Sequence, residues 1–212
     1  MYKSYISLGD NCEAGLQFRR INYKESSFFR FTYSPLKSTL MLIENDFKDV
    51  FLKDNLIAHS DKMVKDKKYN ICFHSKLVSK NGSSEERCLL PSDEFDKVYE
   101  EELSKVNYLV EKWHKVVSSN RNVLYILKEN TQLSSKDNAL KMLELFKNKY
   151  PNHKFTILYL QTIDHQEEDW KIPGLINRYF PQFAPTANVH DADVSSWDKI
   201  FGEFPLLIKQ KV

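Results

Sequence analysis

Glycine and proline are scarce, 5 and 7 residues in a chain of 212, which excludes collagen-like and low-complexity architectures. Cysteine is scarcer still. Cys12, Cys72 and Cys88 cannot all pair with one another, and none stands in a C-x-x-C or other short metal-ligand spacing. That argues against a disulfide framework and a zinc site, and for a reducing compartment. Neither sign of charge is in excess, with 31 Lys and Arg against 29 Asp and Glu, so composition carries no footprint of a nucleic acid or an anionic membrane. No apolar run approaches the length that spans a bilayer, and the N-terminus lacks the basic and apolar regions of a signal peptide. Neither nucleotide fingerprint, G-x-x-x-x-G-K-S/T or G-x-G-x-x-G, occurs. These absences predict a soluble, cytoplasmic protein without a resident metal or cofactor and without a nucleic-acid partner.

What is present is an ordinary globular composition, 42% hydrophobic and 28% charged. At this length a folded chain buries about 70% of the surface its unfolded form exposes, enough for a self-sufficient core. No Ser/Gly-rich linker, repeat or low-complexity tract divides the sequence, so one domain over residues 1–212 is the expectation.

Patterning predicts an α/β fold with three layers, a mostly parallel sheet flanked by helices. Tyr5 to Leu8 reads as a strand, Gly9-Asp10-Asn11-Cys12 as a tight turn, and Ala14, Phe18 and Ile21 as one face of a helix. Phe28 to Thr32 is short and aromatic. Ser34 then offers an N-cap and Pro35 a first helical position, and Leu36, Leu40, Ile43, Phe47 and Val50 or Phe51 mark a helix over roughly 35–52. Tyr69 to His74 reads as a strand, and Asn81-Gly82 predicts a small β-hairpin near 76–89. The longest helical period runs from Ser92 to Ser118. Asn122–Leu127 and Phe155–Leu160 are apolar runs of the kind covered on both faces, with a helix between them that Ser134 and Asp137 begin and Pro151 closes. Beyond Gln161 the pattern weakens, apart from an ordered piece over Ser195–Phe201.

In such a sheet, ligands bind beyond the carboxyl ends of the strands. Cys12 stands there, at the first turn of a helix, where the macrodipole favours a thiolate, and this makes it the candidate nucleophile. The alternative is a cysteine that only packs. A thiol nucleophile needs a histidine base. His74, at the end of its strand, and His190, beside Asp191 and Asp193, are the candidates, whereas His59, His114, His153 and His165 lie in polar or helix-surface contexts. Asp10 and Asn11 either orient a histidine or a substrate carbonyl, or serve as turn and cap residues. Gly9, Arg19 and Arg30 are candidate substrate-binding positions, the arginines forming with Arg20 either an anion site or a set of solvated charges. Phe28, Phe29, Phe31 and Tyr33 either stack on a sugar or base, or pack in the core. The Gly-Asp-Asn turn invites comparison with the Gly-Asp-Ser start of one lipase and esterase group, but asparagine replaces the nucleophilic serine.

The run Ile6-Ser7-Leu8-Gly9-Asp10-Asn11-Cys12 to Arg20, followed by Phe29-Arg30-Phe31 and Ser34-Pro35-Leu36, resembles a bacterial family of unknown function that carries the predictive label of papain-like cysteine peptidase. Members look alike in an S-L-G-x-x-C motif, an aromatic element before a helix, a central strand ending in histidine and a late tryptophan segment. Here these correspond to Ser7–Cys12, Phe28–Leu36, Cys72-Phe73-His74, and Trp197 with Ile200-Phe201. The resemblance implies a cysteine–histidine site with Cys12 as nucleophile and His74 as base. Ser75 stands where the family pattern commonly has an acidic residue. If the α/β pattern holds, the papain name describes residues and not architecture. Members also resemble domains encoded near surface-polysaccharide genes, which extends the expected substrates from small molecules and peptides to glycans. Two other readings stand beside a thiol hydrolase or acyl transferase: a glycosyltransferase or nucleotide-sugar enzyme, and a non-catalytic binding domain.

Overall fold

The computed structural model describes residues 1–80, 87–129 and 135–207. Its centre is a four-stranded parallel sheet in the order β1 (Ser4–Ser7), β8 (Val123–Lys128), β9 (Phe155–Thr162), β10 (Leu175–Phe180). The intervening strands, β2 (Thr32–Tyr33), β3 (Leu56–Ser60), β4 (Met63–Asp66) and β5 (Ile71–His74), form a second, antiparallel sheet in the order β2-β5-β4-β3. Strands β6 (Val78–Lys80) and β7 (Arg87–Leu89) pair antiparallel as a small separate ribbon. The Asn81-Gly82 turn expected within it lies outside the described residues.

The parallel sheet alternates its side chains between two apolar layers, as period-two geometry requires. Tyr5, Leu124, Ile126, Leu158 and Leu160 pack with residues of α1 (Glu13–Arg20) and α5 (Val194–Glu203), including Phe18, Trp197 and Ile200. Ile6, Val123, Tyr125, Leu127, Ile157 and Tyr159 face the other layer, where α3 (Ser92–Val117) contributes Trp113 and α4 (Lys136–Lys149) contributes Met142 and Phe146. Each fully buried apolar side chain stabilises the fold by about 1.5–3 kcal/mol, so the two apolar runs of the sequence have no better place than the sheet centre. This is the α/β architecture expected from the pattern, enlarged by an antiparallel sheet.

Several boundaries differ from the sequence reading. Helix α2 spans Leu36–Glu44 and stops well before residue 52, because Asp46, Phe47, Asp49 and Phe51 adopt left-handed φ of 55–64°. Phe47, Val50 and Phe51 are buried nonetheless, so their helical spacing reported burial and not helix. The Ser34 hydroxyl bonds to the Thr39 hydroxyl at 2.8 Å, leaving Pro35 as the N-cap of α2. Ser135 caps α4, its hydroxyl accepting the Asn138 N–H, while Ser134 lies outside the described residues. Strands β3, β4 and β10 carry too many polar residues to be read from pattern. No described helix is long and apolar enough to cross a membrane.

Candidate functional site

The site is assembled where the loop after β1 meets the second sheet. Gly9 turns the chain with φ +105°, and a side chain there would place its Cβ 2.7 Å from the Ser34 carbonyl oxygen, so only glycine lets the two backbones approach. Asp10 follows with φ 70°. Its N–H donates to the Ser34 carbonyl at 2.8 Å, and the Ser34 N–H donates back to the Asp10 carbonyl at 3.3 Å. Ser34 directly follows β2, which pairs with β5 through Thr32↔Phe73 and Tyr33↔Cys72. This succession of pairings carries His74, the last residue of β5, to the loop that bears Cys12. The Cys12 Sγ and the His74 Nε2 lie 3.5 Å apart, within hydrogen-bonding reach for sulfur.

Cys12 is half-buried at the N-cap of α1, and the Asn11 side chain accepts the Glu13 N–H at 3.0 Å. Asn11 therefore caps the helix, one of the two roles the sequence left open. Burial pushes the Cys12 thiol above the ordinary cysteine value. This is opposite in direction to the lowering expected from the helix terminus, because dehydration disfavours the charged sulfur. Ser75 donates its N–H to the Lys62 carbonyl and accepts the Leu77 N–H on its hydroxyl, so its bonds belong to the strand exit.

Beneath the dyad lies a charge cluster that the sequence reading missed. Lys128, at the carboxyl end of β8 and only 2% exposed, places its Nζ 2.7 Å from Asp10 Oδ2 and 3.1 Å from Glu13 Oε2. Glu13, with no exposed surface, also accepts the Trp197 Nε1–H at 3.0 Å and the Ala184 N–H at 3.2 Å. A buried ammonium is retained only when paired, and here both carboxylates flank Cys12 in sequence. Asp10 thus serves to anchor the loop. The available signal was strand parity: Leu124 and Ile126 face α1 and α5, and so must Lys128 two residues on.

The remaining candidates separate. His190 is exposed in the C-terminal segment, its N–H on the Asn188 side chain, and the imidazole beside the sulfur is that of His74. Arg30 is buried and donates to the carbonyls of Glu25 at 2.6 Å and Tyr23 at 2.7 Å, which makes it a brace for the chain after α1 and not a solvated charge. Gly15 allows this packing, since a Cβ there would sit 2.1 Å from the Arg30 carbonyl oxygen. Arg19 is exposed, its guanidinium 5.0 Å from the Phe31 ring centre. Arg20 pairs with Asp198 at 2.5 Å. Phe28 and Phe29 pack on Phe47 in the core, Tyr33 is exposed away from the cleft that Phe31 lines, and Phe31 is half-buried next to Arg19. His153, expected on the surface, is buried with its Nε2 2.9 Å from the Tyr125 hydroxyl, and burial lowers its pKa.

His74 also edges a cleft of about 420 Å³ whose walls are mainly apolar, with Phe31, Phe73, Val106 and Leu109 among them, and whose rim includes Arg19 and Lys24. This is the size and lining usual for a small-molecule site.

A protein-family model described as "putative papain-like cysteine peptidase" matches residues 3–165, which include β1 through β9 and both Cys12 and His74. Neither the curated proteins nor the solved structures give a match. With that model covering well over half of its length, the chain belongs to this papain-like cysteine peptidase family.

Proposed function

We propose that the protein is a thiol-dependent acyl-transfer enzyme, a hydrolase or acyl transferase acting on a small-molecule, peptide or glycan-linked acyl group. The observation that carries this reading is the 3.5 Å separation of Cys12 Sγ and His74 Nε2 at the carboxyl end of the first parallel strand. Burial disfavours the thiolate, and His74, within reach of the sulfur, acts as a general base and takes the proton as the sulfur attacks. An S–C bond forms at the substrate carbonyl. The bond from that carbon to the leaving group then breaks, and the proton passes from His74 to the departing atom. Water or a hydroxyl or amine acceptor, deprotonated by the same imidazole, cleaves the thioester and returns the thiol. The Glu13 N–H is engaged by Asn11, so other N–H groups of the first turn of α1 are left to stabilise the oxyanion.

The test is acylation by 4-nitrophenyl acetate near neutral pH, with nitrophenolate release followed optically and the acyl group located by mass spectrometry. Acetyl on Cys12, in a burst that His74→Ala slows by about 10²–10⁴-fold, is the expected result. Equal labelling of Cys12 and Cys88, or a burst indifferent to His74→Ala, overturns the reading.

A further inference from the structure

The cleft beside His74 joins two features that together specify what enters it. Its walls are mainly aromatic and aliphatic, with Phe31, Phe73, Val106 and Leu109 among them and the buried Ser27 hydroxyl as a polar point, so most of the buried part of an occupant is apolar. Its rim is cationic. Lys105 is matched there by Glu102 at 2.8 Å, but neither Arg19 nor Lys24 forms an ion pair among the described residues, and both are exposed. The Arg19 guanidinium lies 5.0 Å from the centre of the Phe31 ring, a contact that favours its presentation at the cleft. A planar guanidinium so placed recognises a carboxylate or phosphate, and the neighbouring ammonium adds to the same field.

We infer that this cleft binds the non-reacting part of the substrate, an aromatic or aliphatic group carrying an anion that Arg19 and Lys24 receive. The inference rests on the acyl-transfer reading for the direction of the substrate, because His74 belongs to both the cleft and the dyad. The acyl carbon lies toward Cys12, the apolar group over Phe31 and Phe73, and the anion at the rim.

Binding alone tests it, on the full chain carrying Cys12→Ser so that no chemistry intervenes. Three probes of one apolar body are compared by calorimetry: 4-phenylbutyrate, 3-phenylpropyl phosphate and the uncharged 4-phenylbutanamide. One or both anions bind about tenfold more tightly than the amide, and which of them gains decides between carboxylate and phosphate. The preference shrinks to about twofold in Arg19→Gln, an exposed substitution that leaves the fold alone, and fades as salt is raised. Leu109→Trp, which fills the cleft, abolishes binding of all three. Equal affinity for acid, phosphate and amide, or anion preference untouched by Arg19→Gln, overturns the inference. Failure of Cys12 to acylate while anion-selective binding persists would remove the catalytic reading and leave the ligand class standing.

Discussion

Asp10 and Ser34 exchange two backbone hydrogen bonds, and through them the loop that carries Cys12 is tied to the strand that neighbours His74. The two halves of the dyad come from different sheets, so their separation is governed by this bridge and not by either sheet alone.

Gly9→Ala probes the bridge. An added Cβ would lie 2.7 Å from the Ser34 carbonyl oxygen at a φ that L-residues avoid, so the two backbones must part. A loss of about 1–3 kcal/mol in urea unfolding is expected, together with a fall in Cys12 acylation larger than in a surface control.

Lys128→Met leaves the buried Glu13 carboxylate and the partly buried Asp10 carboxylate without their cation. Stability falls by about 3–5 kcal/mol, the usual result of removing one partner of a buried pair. Adding Glu13→Gln to that variant removes one of the stranded charges and recovers part of the loss. Denaturant titration of the wild type, both single variants and the double variant measures the coupling.

The two chemistries of Cys12 should separate with pH. Alkylation by iodoacetamide needs the thiolate, which burial disfavours, so its rate climbs only as pH passes above the usual cysteine range. Acylation assisted by His74 does not wait for a free thiolate, so its pH profile departs from that of alkylation. Coincident profiles, or alkylation of Cys12 that saturates below neutrality, would show a resting thiolate instead.

Alkali should unfold the protein. Burial pushes the phenols of Tyr5 and Tyr150 up to about 12, and it raises the Cys72 thiol as well. A group whose folded pKa is raised stabilises fully below its unfolded value, near 10 for tyrosine, and the stabilisation is lost as pH climbs toward the folded one. Urea midpoints should therefore hold steady to about pH 9 and drop between about 10 and 12.

The main elements of the parallel sheet and its helices were legible because burial on both faces leaves continuous apolar runs, as in Val123–Leu127, and because α3 keeps its period for 26 residues. Cys12 and His74 were legible by position, one after the first strand and one ending a strand. The antiparallel sheet was not, since β3 buries only Leu56 and β4 alternates half-buried and buried residues over only four positions. Lys128 was hidden for a different reason. A lysine next to an apolar run reads as the point where the chain reaches water, and only the parity of β8 together with two carboxylates far away in sequence shows that it does not.

Glu13 is held from the far side by the Ala184 N–H and the Trp197 indole, both beyond residue 165, where the family match stops. A fragment trimmed to the matched span would keep cysteine and histidine yet strip two donors from Glu13 and uncover the sheet face on which Trp197 and Ile200 pack. Boundaries drawn by sequence likeness would thus cut through the foundation of α1, and expression designs should extend at least through Phe204, whose carbonyl receives the Tyr5 hydroxyl.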